Sequence, residues 1–596
     1  MIFSDYIPDL IAIGPELILC ATVLIVLLVD LWRMGRDHAV VWILAPAITF
    51  ACVYGLFVAG KAYVQAVPGT VNNPLLPEFI GIVLAYAAVT VGDLWFRGAD
   101  GKARDGWVPG IVCLIGVALA GYRLSGQSGA AFTSAMGDEA VQAYWGQLVI
   151  VDAFSVVFRG IVLVSLAVST WYTIFYRPMQ RGPGSRGVVE FLACLLGAHI
   201  GGMFLVGTTQ LLFIFLALET LSLCSYMQAG MLKGDRRSAE ASLKYIIYGS
   251  VASGLMLFGF SLLYAFGGEL TLDSLAAAVK SVPRTGADDH QAAAGVLITV
   301  GLLSTVGGLA YKLSLVPFHF WTPDVYEGSP TPTAAFLSVG SKAAAFGVLL
   351  RFVSGLTGDI NWAPSLVALL AFVAAITMTY GNLAALRQPN LKRLLAYSSI
   401  AHAGYMLMGV CAVFQFERDA AGAVTGSAFL STGYEAIVFY LIAYLLMNLG
   451  IFGVVIYLAN KTGSEEIDDL RGLGWKSPWV SGALIVFLLS LTGIPPTAGF
   501  FAKYYLFYAT VKAGYLWLVI IAILNTVVSL FYYFRIAKEL FLKTEEQALF
   551  SAPRSVLLAG CVILLAAATV WFGLAPDGMN DAVVKAATSI HAQVGR

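Results

Sequence analysis

GLAYKLSLVPFHFWTPD, Gly308–Asp324, closes a run that is almost wholly apolar from Gly295 to Leu309. Within it stand Lys312 and His319, with Pro317 between them. Two of the three are ionisable, and the proline removes a backbone donor and clashes with the preceding helical turn. A second stretch repeats the pattern: SLTGIPPTAGFFAKYYLF, Ser490–Phe507, sets Pro495 and Pro496 ahead of Lys503 inside another long apolar run. What such residues do depends on the solvent around them.

Composition identifies that solvent. The chain has 596 residues, 59% hydrophobic and 12% charged, with a mean hydropathy of +0.82. A soluble protein carries about 25% charged residues. The expected fold class is therefore an all-α polytopic membrane protein. A net charge of zero excludes nucleic-acid binding through a basic surface. Cysteines 20, 52, 113, 194, 224, 411 and 561 fall singly inside apolar runs. That spacing builds no zinc site, iron–sulfur cluster or disulfide framework. The first apolar run lacks a basic flank and reads as a permanent helix, not a cleaved signal.

A spanning helix needs roughly 20 apolar residues. Sixteen runs qualify: 10–32, 40–60, 78–96, 107–122, 150–175, 190–207, 209–231, 240–266, 294–326, 332–354, 364–386, 392–414, 433–459, 478–509, 514–541 and 554–574. Loops after odd-numbered runs collect the basic residues, among them Arg97, Lys102, Arg104, Arg177, Arg181, Arg186, Lys233, Arg236, Arg237, Arg387, Lys392 and Arg393. Loops after even-numbered runs hold few, such as Lys61, Arg123, Lys280 and Arg284. Because cytoplasmic loops gather Lys and Arg, the odd loops are expected at the cytoplasm and both termini outside.

Five basic side chains remain inside the runs: Arg159, Lys244, Lys312, Lys342 and Lys503. One acid, Glu219, lies near the centre of LLFIFLALETLSLCSYM. Each such group at bilayer depth costs roughly 2.5–3.5 kcal/mol, so it faces water or another polar group. Snorkelling near a helix end is an alternative for Arg159 and Lys244, and a weak one for Glu219 and Lys342. Burial disfavours an ammonium and a nearby carboxylate favours it. Glu219, Lys244, Lys312, Lys342 and Lys503 therefore read as a proton relay. A lone histidine in an apolar run is more often a packed core residue, yet His319 follows a break and His402 could titrate with the row.

Runs 294–326 and 478–509 exceed what one straight span needs. Their prolines point to discontinuous helices whose freed carbonyls line a polar cavity. The two would run in opposite directions, since one leaves the outer face and the other the cytoplasmic face. Such breaks at matching places mark an inverted-repeat transporter, here two five-helix repeats, 190–354 and 364–541. The remaining parts are 1–106, 107–189, and a C-terminal helix and tail, 554–596. Pro15–Arg33 and Pro77–Arg97 share a Pro-Glu opening and an Asp-Leu-Trp close, which reads as a duplicated helical hairpin packed at the periphery. Chance is the competing explanation, because these residues suit any interface.

YKLSLVPFHFWTPDVYEGSPTPTAAFLSVGSKAAAFGVLLR, ALRQPNLKRLLAYSSIAHAGYMLMG and LTGIPPTAGFFAKYYLF resemble the antiporter-like membrane subunits of respiratory complex I, the subunit N branch above all. The resemblance covers roughly 107–574. It implies fourteen helices, two fewer than the runs counted, and a proton-pumping role. It also implies that Glu219 and Lys312 form an acid–lysine pair, that Lys342 bridges, and that Lys503 serves the second half. Lys244 matches a lysine near the start of the helix after the glutamate. NADH, flavin, iron–sulfur clusters and quinone would sit on partner subunits, leaving no cofactor on this chain. The implied partners are other membrane subunits in a hetero-oligomer within the bacterial inner membrane. Related cation/proton antiporter subunits and energy-converting hydrogenase subunits share the core. A free-standing solute carrier would need a substrate pocket, for which the loops show no sign.

Overall fold

The computed structural model describes residues 12–34, 107–134, 142–144, 148–180, 187–282, 289–355, 362–419, 424–542 and 555–594. Runs 40–60 and 78–96, and with them the duplicated hairpin and the count of sixteen, lie outside the described residues. Among the described residues eleven helices are long and apolar enough to cross a membrane.

The described helices of eight residues or more, in chain order, are α1 (Gly14–Met34), α2 (Trp107–Ser134), α3 (Ala153–Phe175), α4 (Gly187–Val206), α5 (Leu211–Ala229), α6 (Arg236–Gly267), α7 (Leu272–Ser281), α8 (Asp289–Leu313), α9 (Trp321–Gly328) and α10 (Thr331–Gly355). They continue as α11 (Ala363–Ala385), α12 (Leu391–Cys411), α13 (Ser431–Thr462), α14 (Pro478–Thr492), α15 (Ala498–Lys512), α16 (Leu516–Leu542), α17 (Val556–Leu574) and α18 (Asp577–Val594). Two antiparallel hairpins accompany them, β1–β2 (Gln142–Tyr144, Val149–Val151) and β3–β4 (Phe414–Arg418, Val424–Phe429). Neither hairpin, nor α18, was expected from hydropathy, because short strands and a polar-faced helix leave no apolar run.

Both long runs are interrupted, as their prolines require. Run 294–326 divides into α8 and α9, and run 478–509 into α14 and α15. The two interruptions close in the same way. Ser314 N–H donates to the Tyr311 carbonyl and Leu315 N–H to that of Ala310; Gly493 N–H donates to the Ser490 carbonyl and Ile494 N–H to that of Leu489. Ser314 and Gly493 both take positive φ, 62° and 89°. This left-handed turn caps orphan carbonyls at a helix end.

A second junction also recurs. The N-cap residues of α5 and α12, Gln210 and Asn390, each form a lone β-bridge, to Thr271 and Glu466 respectively. Those partners follow the left-handed caps of α6 and α13, Gly268 and Gly463. α4 packs on α5 as α11 packs on α12. α10 and α12 are buried along their spans, whereas well under half of α6 and of α16 is buried. Apolar side chains that are exposed, such as Val251, Phe258, Leu524 and Phe531, face lipid or a neighbouring subunit, the surroundings that suit such a patch.

Candidate functional site

The last turn of α8 places Lys312 against α5 and α6. Its Nζ donates to Ser222 Oγ and to Tyr245 OH, each at 3.1 Å. Tyr245 stacks on Trp321, the first residue of α9, with centroids 4.4 Å apart and planes 14° apart. Trp321 Nε1 in turn donates to the Tyr311 carbonyl at 3.0 Å. Glu219 precedes Ser222 by one helical turn on α5 and is half-buried. Through Ser222, Lys312 meets the turn of α5 that follows Glu219. Lys312 bonds the two hydroxyls, and Glu219 Oε1 is buried with no hydrogen-bond partner among the described residues.

Lys342 sits in the buried middle of α10, with its Nζ 2.8 Å from the Ser399 carbonyl and 2.6 Å from Ser399 Oγ. Tyr326 OH on α9 lies 3.4 Å from the same Oγ. One residue earlier, Ser398 Oγ lies 2.5 Å from Tyr533 OH, and that hydroxyl is 3.4 Å from His402 Nε2. His402 Nδ1 is 2.7 Å from Tyr440 OH. Ser398, His402 and Tyr405 follow at i, i+4 and i+7 and so share one face of α12.

Lys503, on α15, donates to the carbonyl of Thr492 at 2.9 Å. Thr492 is the last residue of α14, so its carbonyl is one that the interruption frees. Lys503 Nζ also reaches Thr526 Oγ1 at 3.4 Å and lies 5.0 Å from the Tyr405 ring centroid. Tyr405 OH is 3.3 Å from the same Thr526 hydroxyl. Each of the three buried lysines thus bonds at least one hydroxyl, and α12 carries Ser398, Ser399, His402 and Tyr405 along the Lys342 and Lys503 stations.

The structure gathers Lys342, His402 and Lys503 along α12, and sets Lys312 in a second cluster with Ser222 and Tyr245, one turn of α5 from Glu219. It leaves three candidates apart. Lys244 is 37% exposed and bonds Asp324 and Glu240 at 2.6 and 2.7 Å. It does not lie buried in the row, because it enters α6 only two turns from its start. His319 is buried in the first interruption, against Phe320 and Tyr380 at 4.5 and 4.4 Å. Neither ring nitrogen has a hydrogen-bond partner among the described residues. Arg159 neither snorkels nor joins the row, since Glu16 of α1 meets its Nε at 3.1 Å with both side chains fully buried.

The family model described as NADH:quinone oxidoreductase/Mrp antiporter, TM, matches residues 208–529. NADH-quinone oxidoreductase subunit N of Anaeromyxobacter sp. (strain Fw109-5) is 42% identical over 446 residues, 72% of this chain and 82% of that one. The chain belongs to the NADH-quinone oxidoreductase subunit N family. Another member, subunit N 2 of Sorangium cellulosum (strain So ce56), is 39% identical over 537 residues, 88% of this chain and 99% of that one. A chain in respiratory complex I from Thermus thermophilus with bound aureothin superposes with a TM-score of 0.62 at 30% identity, over 84% of this chain and 98% of that one. A chain of the Mrp complex from Dietzia sp. DQ12-45-1b, at 19% identity and a TM-score of 0.65, shares the fold.

In this subunit N family chain, sequence reading found the charges and missed what holds them. Ser222, Tyr245, Ser399, Tyr440, Thr526 and Tyr533 are ordinary in apolar helices. The one usable signal was AYSSIAHAGYM, Ala396–Met406, where polar residues recur at helical spacing through an otherwise apolar face.

Proposed function

We propose that this chain is the proton-translocating membrane subunit of an NADH–quinone oxidoreductase, moving protons along Glu219, Lys312, Lys342, His402 and Lys503. The observation that carries the reading is the set of three buried lysines, each bonded to at least one hydroxyl, with His402 on the helix that borders two of them. A lysine there accepts a proton while charged neighbours favour the ammonium, and releases it when they change. Ser399, Tyr533 and Tyr440 are donors and acceptors at once, so they pass protons without holding charge. The repeated interruptions and β-bridges support an inverted pair of units, 190–354 and 364–541, flanked by 107–189 and 554–596. His319 and Lys244 border the first interruption, where they serve access to Lys312.

NADH oxidation, flavin, iron–sulfur clusters and quinone reduction belong to partner subunits in this reading. The lysine row then answers to redox events elsewhere in a hetero-oligomer. The basic loops support a bacterial inner membrane setting with both termini outside. The test is proton uptake per quinone reduced in inverted vesicles holding the assembled complex. Lys312→Ala and Glu219→Ala should lower that ratio while the complex still assembles. Undiminished pumping in an assembled Lys312→Ala complex would remove the row from the mechanism.

A further inference from the structure

The short helix α9 lies between the first two lysine stations. Its first residue, Trp321, stacks on the tyrosine that holds Lys312. Its Tyr326 reaches the serine that holds Lys342. A helix of eight residues cannot hold its own position in this way, since isolated short helices are marginal. Something outside it must fix its place.

Asp324 does so. Its Oδ2 accepts from Lys244 Nζ at 2.6 Å and its Oδ1 from Arg393 Nη1 at 2.7 Å. One partner is on α6, in the first half, and the other on α12, in the second. Arg393 also bonds Glu327 of α9 at 2.9 Å, and Lys392 donates to the Ser329 carbonyl just past α9, also at 2.9 Å. One turn beyond Asp324, on the same face, α9 is pressed against α6, where a Cβ on Gly328 would stand 2.4 Å from the Arg237 carbonyl oxygen.

A second observation points to the same residue. Asp324 comes seven residues after Pro317, and Lys503 comes seven residues after Pro496. The interruptions that contain those prolines close with matching hydrogen bonds. Asp324 thus holds, in the first half, the position that Lys503 holds in the second. Lys503 neutralises the freed carbonyl of its own interruption. A carboxylate has no proton to give a carbonyl, so Asp324 turns instead to the cations of two neighbouring helices.

We infer that Asp324 is a positioning residue for proton transfer, its shared carboxylate holding α9 so that Trp321 and Tyr326 keep the Lys312 and Lys342 stations in register. The inference rests on the proton-relay reading above. Asp324→Asn keeps the shape and removes the charge that both cations need. In assembled complex in inverted vesicles, it should lower protons moved per quinone reduced by about threefold or more, and Asp324→Glu should restore part of the loss. Because Asp324 acts through Tyr326, combining Asp324→Asn with Tyr326→Phe should lower the ratio by less than the product of the two single effects. If Asp324→Asn blocks assembly, Arg393→Lys with Tyr326→Phe makes the same cycle.

An assembled Asp324→Asn complex that pumps at the parental ratio overturns the inference, as do single effects that multiply independently in either cycle. Lys312→Ala separates the two ideas. If it abolishes pumping while Asp324→Asn does not lower it, only the role of Asp324 fails. If assembled Lys312→Ala pumps normally, the relay reading itself fails.

Discussion

The two interrupted helices share a backbone and differ in where they put charge. In each, a residue with positive φ ends the first segment and the same pair of carbonyls is capped. The first carries its lysine one residue before the end of α8, bonded to hydroxyls on other helices. The second carries its lysine beyond the gap, bonded back to the carbonyl at the end of α14. The backbone device that opens a polar place in the membrane is thus separable from the group placed in it. One geometry holds two lysines differently: Lys312 by hydroxyls on other helices, and Lys503 by the interruption's own carbonyl together with Thr526.

The largest expected effect lies between the two. Lys342 is the buried lysine whose serine also touches α9, so Lys342→Ala should cut proton movement per quinone reduced on the order of a hundredfold, the scale of losing a positioned proton carrier. A parental ratio in assembled vesicles would mean that the two interrupted helices work as separate paths.

Arginine substitutions sharpen the contrast. A guanidinium keeps its charge and does not give up its proton, so Lys312→Arg and Lys503→Arg should each lower the ratio, by about tenfold or more on the same scale. If one variant pumps normally, that station supplies fixed charge and carries no proton.

The backbone positions predict smaller changes, of opposite sign. Gly493 has φ of 89° and an added Cβ would lie 2.9 Å from Lys503 Cδ, so Gly493→Ala should destabilise the purified complex by about 1–2 kcal/mol. A lowered thermal midpoint for this subunit in detergent would register it. Ser314 adopts the same turn without being glycine, and its Oγ is buried with no partner among the described residues. Ser314→Gly should therefore leave stability unchanged or raise it by up to about 1 kcal/mol. A clear loss would show that the two turns are held differently.

How far the sequence carried these features follows from what each one disturbs. Lysines, Glu219 and the prolines each interrupt an apolar run, so hydropathy alone exposes them. Tyr245, Ser399 and Thr526 disturb nothing, because a helix in lipid accommodates a tyrosine or a back-bonded hydroxyl. Lys244 misled because its depth depends on where α6 leaves the bundle. Nothing in the sequence singles out Asp324, since its partners Lys244 and Arg393 are remote in the chain. Pairing across such separations is a property of the packed bundle and has no local signature.

The Glu16–Arg159 pair bears on how the chain is made. Glu16 belongs to α1 and Arg159 to α3, which is synthesised more than a hundred residues later. Each side chain alone is costly within a membrane, and removing one partner from a buried pair leaves the other uncompensated. Until α3 is made, Glu16 therefore lacks the counter-charge that it meets in the folded bundle, and that pairing ties the seating of α1 to the arrival of α3.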